Sequence, residues 1–186
     1  AKDQGLQVTC EATPHHLFLS QAEIAQIGAG RAEVRPRLAT PADRAALRAN
    51  LAVIDCFATD HAPHTQAEKD SSQPPPGFPG LETALPLYLA LVEEGLLTLD
   101  QLIDKIAHAP RRIFNLPTPP DSWVEVDPDL VWTVRGAELM SRAGWSPFEG
   151  WSLRGRVTTV VLRGKVLVQG GQVIASPGAG RNISLE

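Results

Sequence analysis

Apolar and polar positions alternate through Leu6-Gln7-Val8-Thr9-Cys10, the period-two pattern of a strand. Ala1 to Gly5, just before it, reads as the end of a helix stopped by Gly5. A second apolar run, Leu51-Ala52-Val53-Ile54-Asp55-Cys56-Phe57, predicts a buried strand over 52–59. Helix signals lie between and after these runs. Ser20-Gln21-Ala22-Glu23 is a capping box ahead of Ile24 and Ile27, with Gly28 as the stop. Thr40-Pro41-Ala42-Asp43 opens another helix, with Leu47 and Leu51 turned inward. Residues 81–94 place Leu85, Tyr88, Leu89 and Val92 on one helical face and end at Gly95. Thr98-Leu99-Asp100-Gln101 is a second capping box for a helix lined by Leu102, Ile103, Ile106 and Ala107, and Pro110 starts a further turn to Phe114.

Residues 71–80 break the pattern. Pro74-Pro75-Pro76-Gly77-Phe78-Pro79-Gly80 fits neither a helix nor a central strand. It is either a stiff wall of a pocket or a plain surface connector. Past a Pro-rich break at Leu116 to Pro120, strand signals take over: 157–162, 165–168 and 172–174, joined by Arg163-Gly164 and Gly170-Gly171 turns. The tryptophans, Trp123, Trp132, Trp145 and Trp151, all fall in this second part. The chain therefore divides into 1–118 and a β-rich appendage, 119–186.

Strand, helix, strand, helix, helix and a β meander do not close a sheet, and a (β/α)₈ barrel takes ~250 residues. With 186 residues, the expected fold is α/β: the C-terminal portion of a (β/α)₈ TIM-type barrel followed by part of a small β-sandwich, beginning in the middle of a larger unit. Composition narrows the function. Hydrophobic residues are 43% and charged ones 20%, the profile of a globular protein. A net charge of −4 without a Lys/Arg block argues against nucleic acid. No apolar run nears the ~20 residues that span a bilayer. Cys10 and Cys56 sit in apolar runs and read as buried thiols of a reducing compartment, so a cytoplasmic location is expected.

Chemistry concentrates at Ala58-Thr59-Asp60-His61-Ala62-Pro63-His64-Thr65, where the second strand runs out. A parallel α/β enzyme places its reactive groups at such strand ends. Asp60 shares a face with Ile54, Cys56 and Ala58 by period two. A carboxylate there is paired, metal-bound or solvated, and helix capping or a salt bridge would satisfy it equally. His61 and His64 follow, and His15-His16 stands at the end of the first strand, on the same rim. A catalytic zinc needs at least three protein ligands, more than Asp60 with one histidine supplies. His108, near a helix end, reads as structural. Arg35, held extended by Pro36, is either a bidentate clamp for a carboxylate or a surface arginine.

Together, Val8-Thr9-Cys10-Glu11-Ala12-Thr13-Pro14-His15-His16-Leu17-Phe18-Leu19, Val53 through His64, and Pro74 through Thr83 resemble the hallmark segments of dihydroorotases, especially the dihydroorotase domain of multifunctional animal-type pyrimidine-synthesis proteins. The likeness runs to Ile113-Phe114 and more loosely through Trp145-Ser146-Pro147-Phe148-Glu149-Gly150. It implies a zinc-dependent amidohydrolase that interconverts N-carbamoyl-L-aspartate and dihydroorotate in pyrimidine synthesis. It implies that Asp60 is a zinc ligand and the general acid/base, that Arg35 and His64 hold the substrate carboxylate, and that backbone at Pro76 and Gly77 contacts the ring. Glu11 is implied as a ligand of an additional metal, and His15 and His16 as shapers of the rim. The remaining ligands of the binuclear zinc site, and the substrate-binding Arg and Asn, belong to family segments that this chain does not contain. The resemblance therefore implies an isolated chain without activity, completed by the missing N-terminal half of the barrel. Aspartate transcarbamoylase or carbamoyl phosphate synthetase domains are implied neighbours, and a homo-oligomer the implied complete form. A hydantoinase or allantoinase, or a non-catalytic dihydroorotase-like scaffold, are the alternatives.

Overall fold

The computed structural model describes residues 1–180 and Asn182. In chain order its elements are β1 (Glu11–Ala12), α1 (Pro14–Phe18), α2 (Ile24–Ile27), α3 (Pro41–Ala49), β2 (Cys56–Phe57), α4 (Gln66–Lys69), α5 (Leu81–Glu93), α6 (Leu99–Ile103), α7 (Ala109–Phe114), β3 (Trp123–Thr133), β4 (Ser152–Leu162), β5 (Lys165–Gln169) and β6 (Gln172–Val173). A π-helical segment, Asp104–His108, joins α6 to α7.

The strand-end arrangement expected from the sequence is present, in shortened form. β1 and β2 pair in parallel, Glu11 with Cys56 and Ala12 with Phe57. The Asp55 amide donates to the Cys10 carbonyl and the Ala58 amide to the Ala12 carbonyl, which extends the ladder by a bond at each end. Of the predicted strand 6–10 only Cys10 joins the ladder: Leu6 and Val8 are exposed, and the strand starts at Glu11. The first half of the predicted strand 52–59 is a 3₁₀ turn over Leu51–Val53 with Val53 exposed. Cys56 is buried as expected, but Cys10 is exposed, and both thiols are free.

The capping boxes act as their spacing predicts. Ser20 and Glu23, Thr40 and Asp43, and Thr98 and Gln101 bond reciprocally. Gly28 and Gly95 stop their segments with positive φ. The α5 face differs from the predicted one: Ala84, Leu87, Tyr88 and Leu91 are sealed, while Leu85, Leu89 and Val92 are only half-buried. On α6 and the segment after it, Leu102 is buried but Ile103 and Ile106 are exposed.

β3 to β6 form one antiparallel sheet in sequential order. Arg163-Gly164 and Gly170-Gly171 make its hairpin turns, all four residues at positive φ as a type I′ geometry needs. One hydrophobic cluster runs from Leu17 and Leu87 into Val134, Trp145, Phe148 and Leu153, so the appendage shares its core with the barrel part. Among the described residues, no helix is long and apolar enough to cross a membrane.

Candidate active site

The end of β2 carries the site. After Ala58 the chain turns sharply, and Asp60 takes φ 46°, a left-handed conformation that a non-glycine residue adopts only when its surroundings impose it. The period-two face from Ile54 therefore stops before Asp60, and its carboxylate projects half-exposed rather than into the strand's face. Asp60, Glu11 from β1, Thr13, His16, Arg35 and Arg37 line one open cavity of about 520 Å³. The structure thus brings together Asp60, Glu11 and Arg35. His64, Pro76 and Gly77 stand outside this lining, in the adjoining loops.

Each histidine has its own setting. His15 is buried, with Nε2 lacking a hydrogen-bond partner and 3.9 Å from Asp60 Oδ2. Burial, reinforced by neighbouring His16, lowers its pKa to about 3, so the ring is neutral at ordinary pH. His16 Nε2 donates to the Pro36 carbonyl at 3.0 Å, and its Nδ1 lies 2.7 Å from the Thr13 hydroxyl. It therefore couples the end of β1 to the residue next to Arg35. His61 Nδ1 accepts from the Gly80 and Leu81 amides, both at 3.2 Å. Those are orphan donors at the start of α5, so His61 caps that helix. The His64 carbonyl accepts from Trp145 Nε1 at 2.8 Å. His108 is exposed.

Arg35 lies in a bend, not in the extended run that Pro36 predicts. It pairs with Glu33 at 2.7 Å, and Arg37 approaches the same carboxylate at 3.6 Å. Two guanidiniums thus share one carboxylate on this side of the cavity, whose lining also holds the carboxylates of Glu11, Asp43 and Asp60. The Pro-rich loop is packed against the body of the protein, with Gly77 to Gly80 buried, but none of its residues lines the cavity. Gly77 donates its amide to the Glu33 carbonyl, and Phe78 accepts from the Ala62 amide.

Lys69 is the residue that sequence reasoning missed. It is fully buried, and its ammonium donates to the Glu33 and Pro75 carbonyls at 2.7 and 2.8 Å. Burial lowers its pKa. In sequence it looks like a solvated lysine, and no local signal marks it; in the structure it ends a four-residue helix opened by the Thr65–Glu68 capping box.

Among the described residues, no three His, Cys, Asp or Glu side chains converge where they could hold a metal. Asp60, Glu11, His16 and Asp43 all border the cavity but do not come together as a ligand set, so these side chains do not by themselves make a metal site.

No family model matches the chain. The multifunctional protein CAD of Squalus acanthias is 51% identical over 98% of this chain and 8% of its own length. The dihydroorotase of Mycobacterium tuberculosis (strain ATCC 25618 / H37Rv) is 42% identical over 94% of this chain and 44% of its length. The chain thus spans less than half of these relatives. Among solved structures, L-hydantoinase (dihydropyrimidinase) from Arthrobacter aurescens superposes with a TM-score of 0.87 at 25% identity, covering 94% of this chain and 42% of that one. The inactive dihydroorotase-like domain of the Chaetomium thermophilum CAD-like multifunctional protein gives 0.74 at 31% identity, covering 95% and 48%. The fold is a C-terminal portion of an amidohydrolase barrel with a β-rich appendage. In sequence the chain is a relative of the dihydroorotases over nearly its whole length.

Proposed function

We propose that this chain, divided near residue 118, is the C-terminal half of a zinc-dependent dihydroorotase, interconverting dihydroorotate and N-carbamoyl-L-aspartate. The observation that carries this reading is the cavity that joins Asp60, Glu11 and the Arg35–Arg37 pair at the ends of two parallel strands. A ring bearing a carboxylate needs a cation to select it and a carboxylate base to move a proton, and this rim supplies both. In this reading Arg35 and His64 take the substrate carboxylate, and backbone at Pro76 and Gly77 faces the ring. Asp60 accepts a proton from the attacking water and passes it to the ring nitrogen as the amide C–N bond breaks. Zinc, when bound, lowers the pKa of water and polarises the amide carbonyl. Asp60 would be one of its ligands and Glu11 a ligand of a further ion, with the others supplied from outside this chain. The match to a small part of a multifunctional protein supports placing it beside transcarbamoylase or carbamoyl phosphate synthetase domains, and this reading takes the compartment to be the cytoplasm.

The test is turnover of dihydroorotate by the complete polypeptide alongside the isolated 186-residue chain. Turnover by the first, with little zinc and no turnover in the second, is the expected result. Full zinc occupancy and turnover in the isolated chain would sink the half-site reading, and an inert complete polypeptide would favour a scaffold. Arg35 distinguishes dihydroorotase from hydantoinase. With its side chain 58% exposed and screened, Arg35→Ala in the complete enzyme should raise KM for carbamoyl aspartate about tenfold, with a smaller change in kcat. An unchanged KM removes the clamp.

A further inference from the structure

Lys69 is the cation that the chemistry above leaves unused, and its surroundings are specific. Its two carbonyl acceptors belong to separate segments: Glu33, whose carboxylate grips Arg35, and Pro75, next to Pro76 and Gly77. The Glu33 carbonyl also accepts from the Gly77 amide at 3.0 Å. The same ammonium lies 5.7 Å from the Phe78 ring and 5.8 Å from the Trp145 ring. Trp145 in turn holds the His64 carbonyl. The segments of Arg35, His64 and Pro76–Gly77 thus converge on this pair, whereas Asp60 does not touch it.

A buried ammonium is costly unless its donors are satisfied. Two carbonyls and two aromatic faces offset that cost only while the segments stay at these distances. The ammonium is therefore a distance constraint between loops that otherwise share few backbone bonds.

We propose that Lys69, braced by Trp145, is the positioning residue for the substrate side of this site, tying the Glu33–Arg35 segment to the Pro75–Phe78 loop so that both meet one ligand. That both segments meet one ligand rests on the dihydroorotase reading, but the tie does not. Loss of the ammonium relaxes the loops on the substrate side and leaves the Asp60 side in place.

The test uses Lys69→Met and Lys69→Gln in the complete polypeptide, with steady-state kinetics on carbamoyl aspartate and hydrogen exchange over residues 30–38 and 74–79. Lys69→Met should raise KM about tenfold or more with kcat within about threefold, and both segments should exchange faster. Lys69→Gln retains a donor for one carbonyl and should give a smaller KM rise of the same kind, which serves if Lys69→Met does not fold. A folded variant with wild-type KM and wild-type exchange overturns the proposal, as does a fall in kcat at unchanged KM. If the wild-type polypeptide turns over no dihydroorotate, the substrate reading fails, and the exchange data alone judge the tie.

Discussion

Asp60→Asn is expected to lower kcat/KM of the complete enzyme by about 10³–10⁴-fold while leaving its melting temperature within a few degrees. The two effects separate because of the backbone. Asp60 sits at φ 46°, and asparagine is among the few side chains that tolerate this region, so the replacement keeps both the turn and the shape. What disappears is the negative charge and the capacity to take a proton. Among the described residues its carboxylate makes one ion-pair contact, with His15 Nε2 at 3.9 Å, so no extensive hydrogen-bond network collapses with it. Metal content should fall alongside activity if Asp60 is also a ligand, and measuring both divides the roles. A variant that keeps a tenth or more of wild-type turnover would remove Asp60 from the chemistry.

Asp60 also marks how far the sequence could be read. The apolar run ending in a carboxylate made the strand end legible, because burial and period leave few alternatives there. The positive φ was not legible: the turn at Asp60 leads into residues whose partners, Phe78 for Ala62 and Gly80 for His61, lie in a loop distant in sequence. Local capping motifs were readable for the same reason in reverse: each closes within four residues. The α5 face was misplaced because the helix is covered from two sides. β4 packs so closely that a Cβ on Gly155 would come within 2.5 Å of Leu89 Cδ1, so Leu89 meets the appendage while Leu87 and Leu91 fill the core. β3 escaped notice because Asp127-Pro128-Asp129 interrupts its alternation, at the position where its pairing with β4 slips register. Lys69 was invisible for an electrostatic reason: a lysine's burial depends on acceptors that other segments bring.

Gly77→Ala tests how far the packing of the Pro-rich loop against the 61–64 segment matters. Gly77 holds φ 140°, outside the range of L side chains, and a Cβ there would lie 2.5 Å from the Ala62 carbonyl oxygen and 2.7 Å from Ala62 Cβ. Neither neighbour is a flexible side-chain end. Relief requires the Pro-rich loop to move away from the 61–64 segment, which breaks the Ala62–Phe78 bond and the Gly77–Glu33 bond. Backbone strain and overpacking together should destabilise the protein by about 2–4 kcal/mol. A displacement of about 1 Å between Arg35 and the loop backbone should lower kcat/KM about 10²-fold. Gly178→Ala separates the two causes: it has φ 84° but open space around its Cβ, so it carries only the conformational cost of about 1 kcal/mol. Denaturant midpoints and carbamoyl aspartate kinetics on both variants decide the matter. Equal, small effects would mean that the contact with Ala62 yields freely, and that the substrate side does not depend on the packing of this loop.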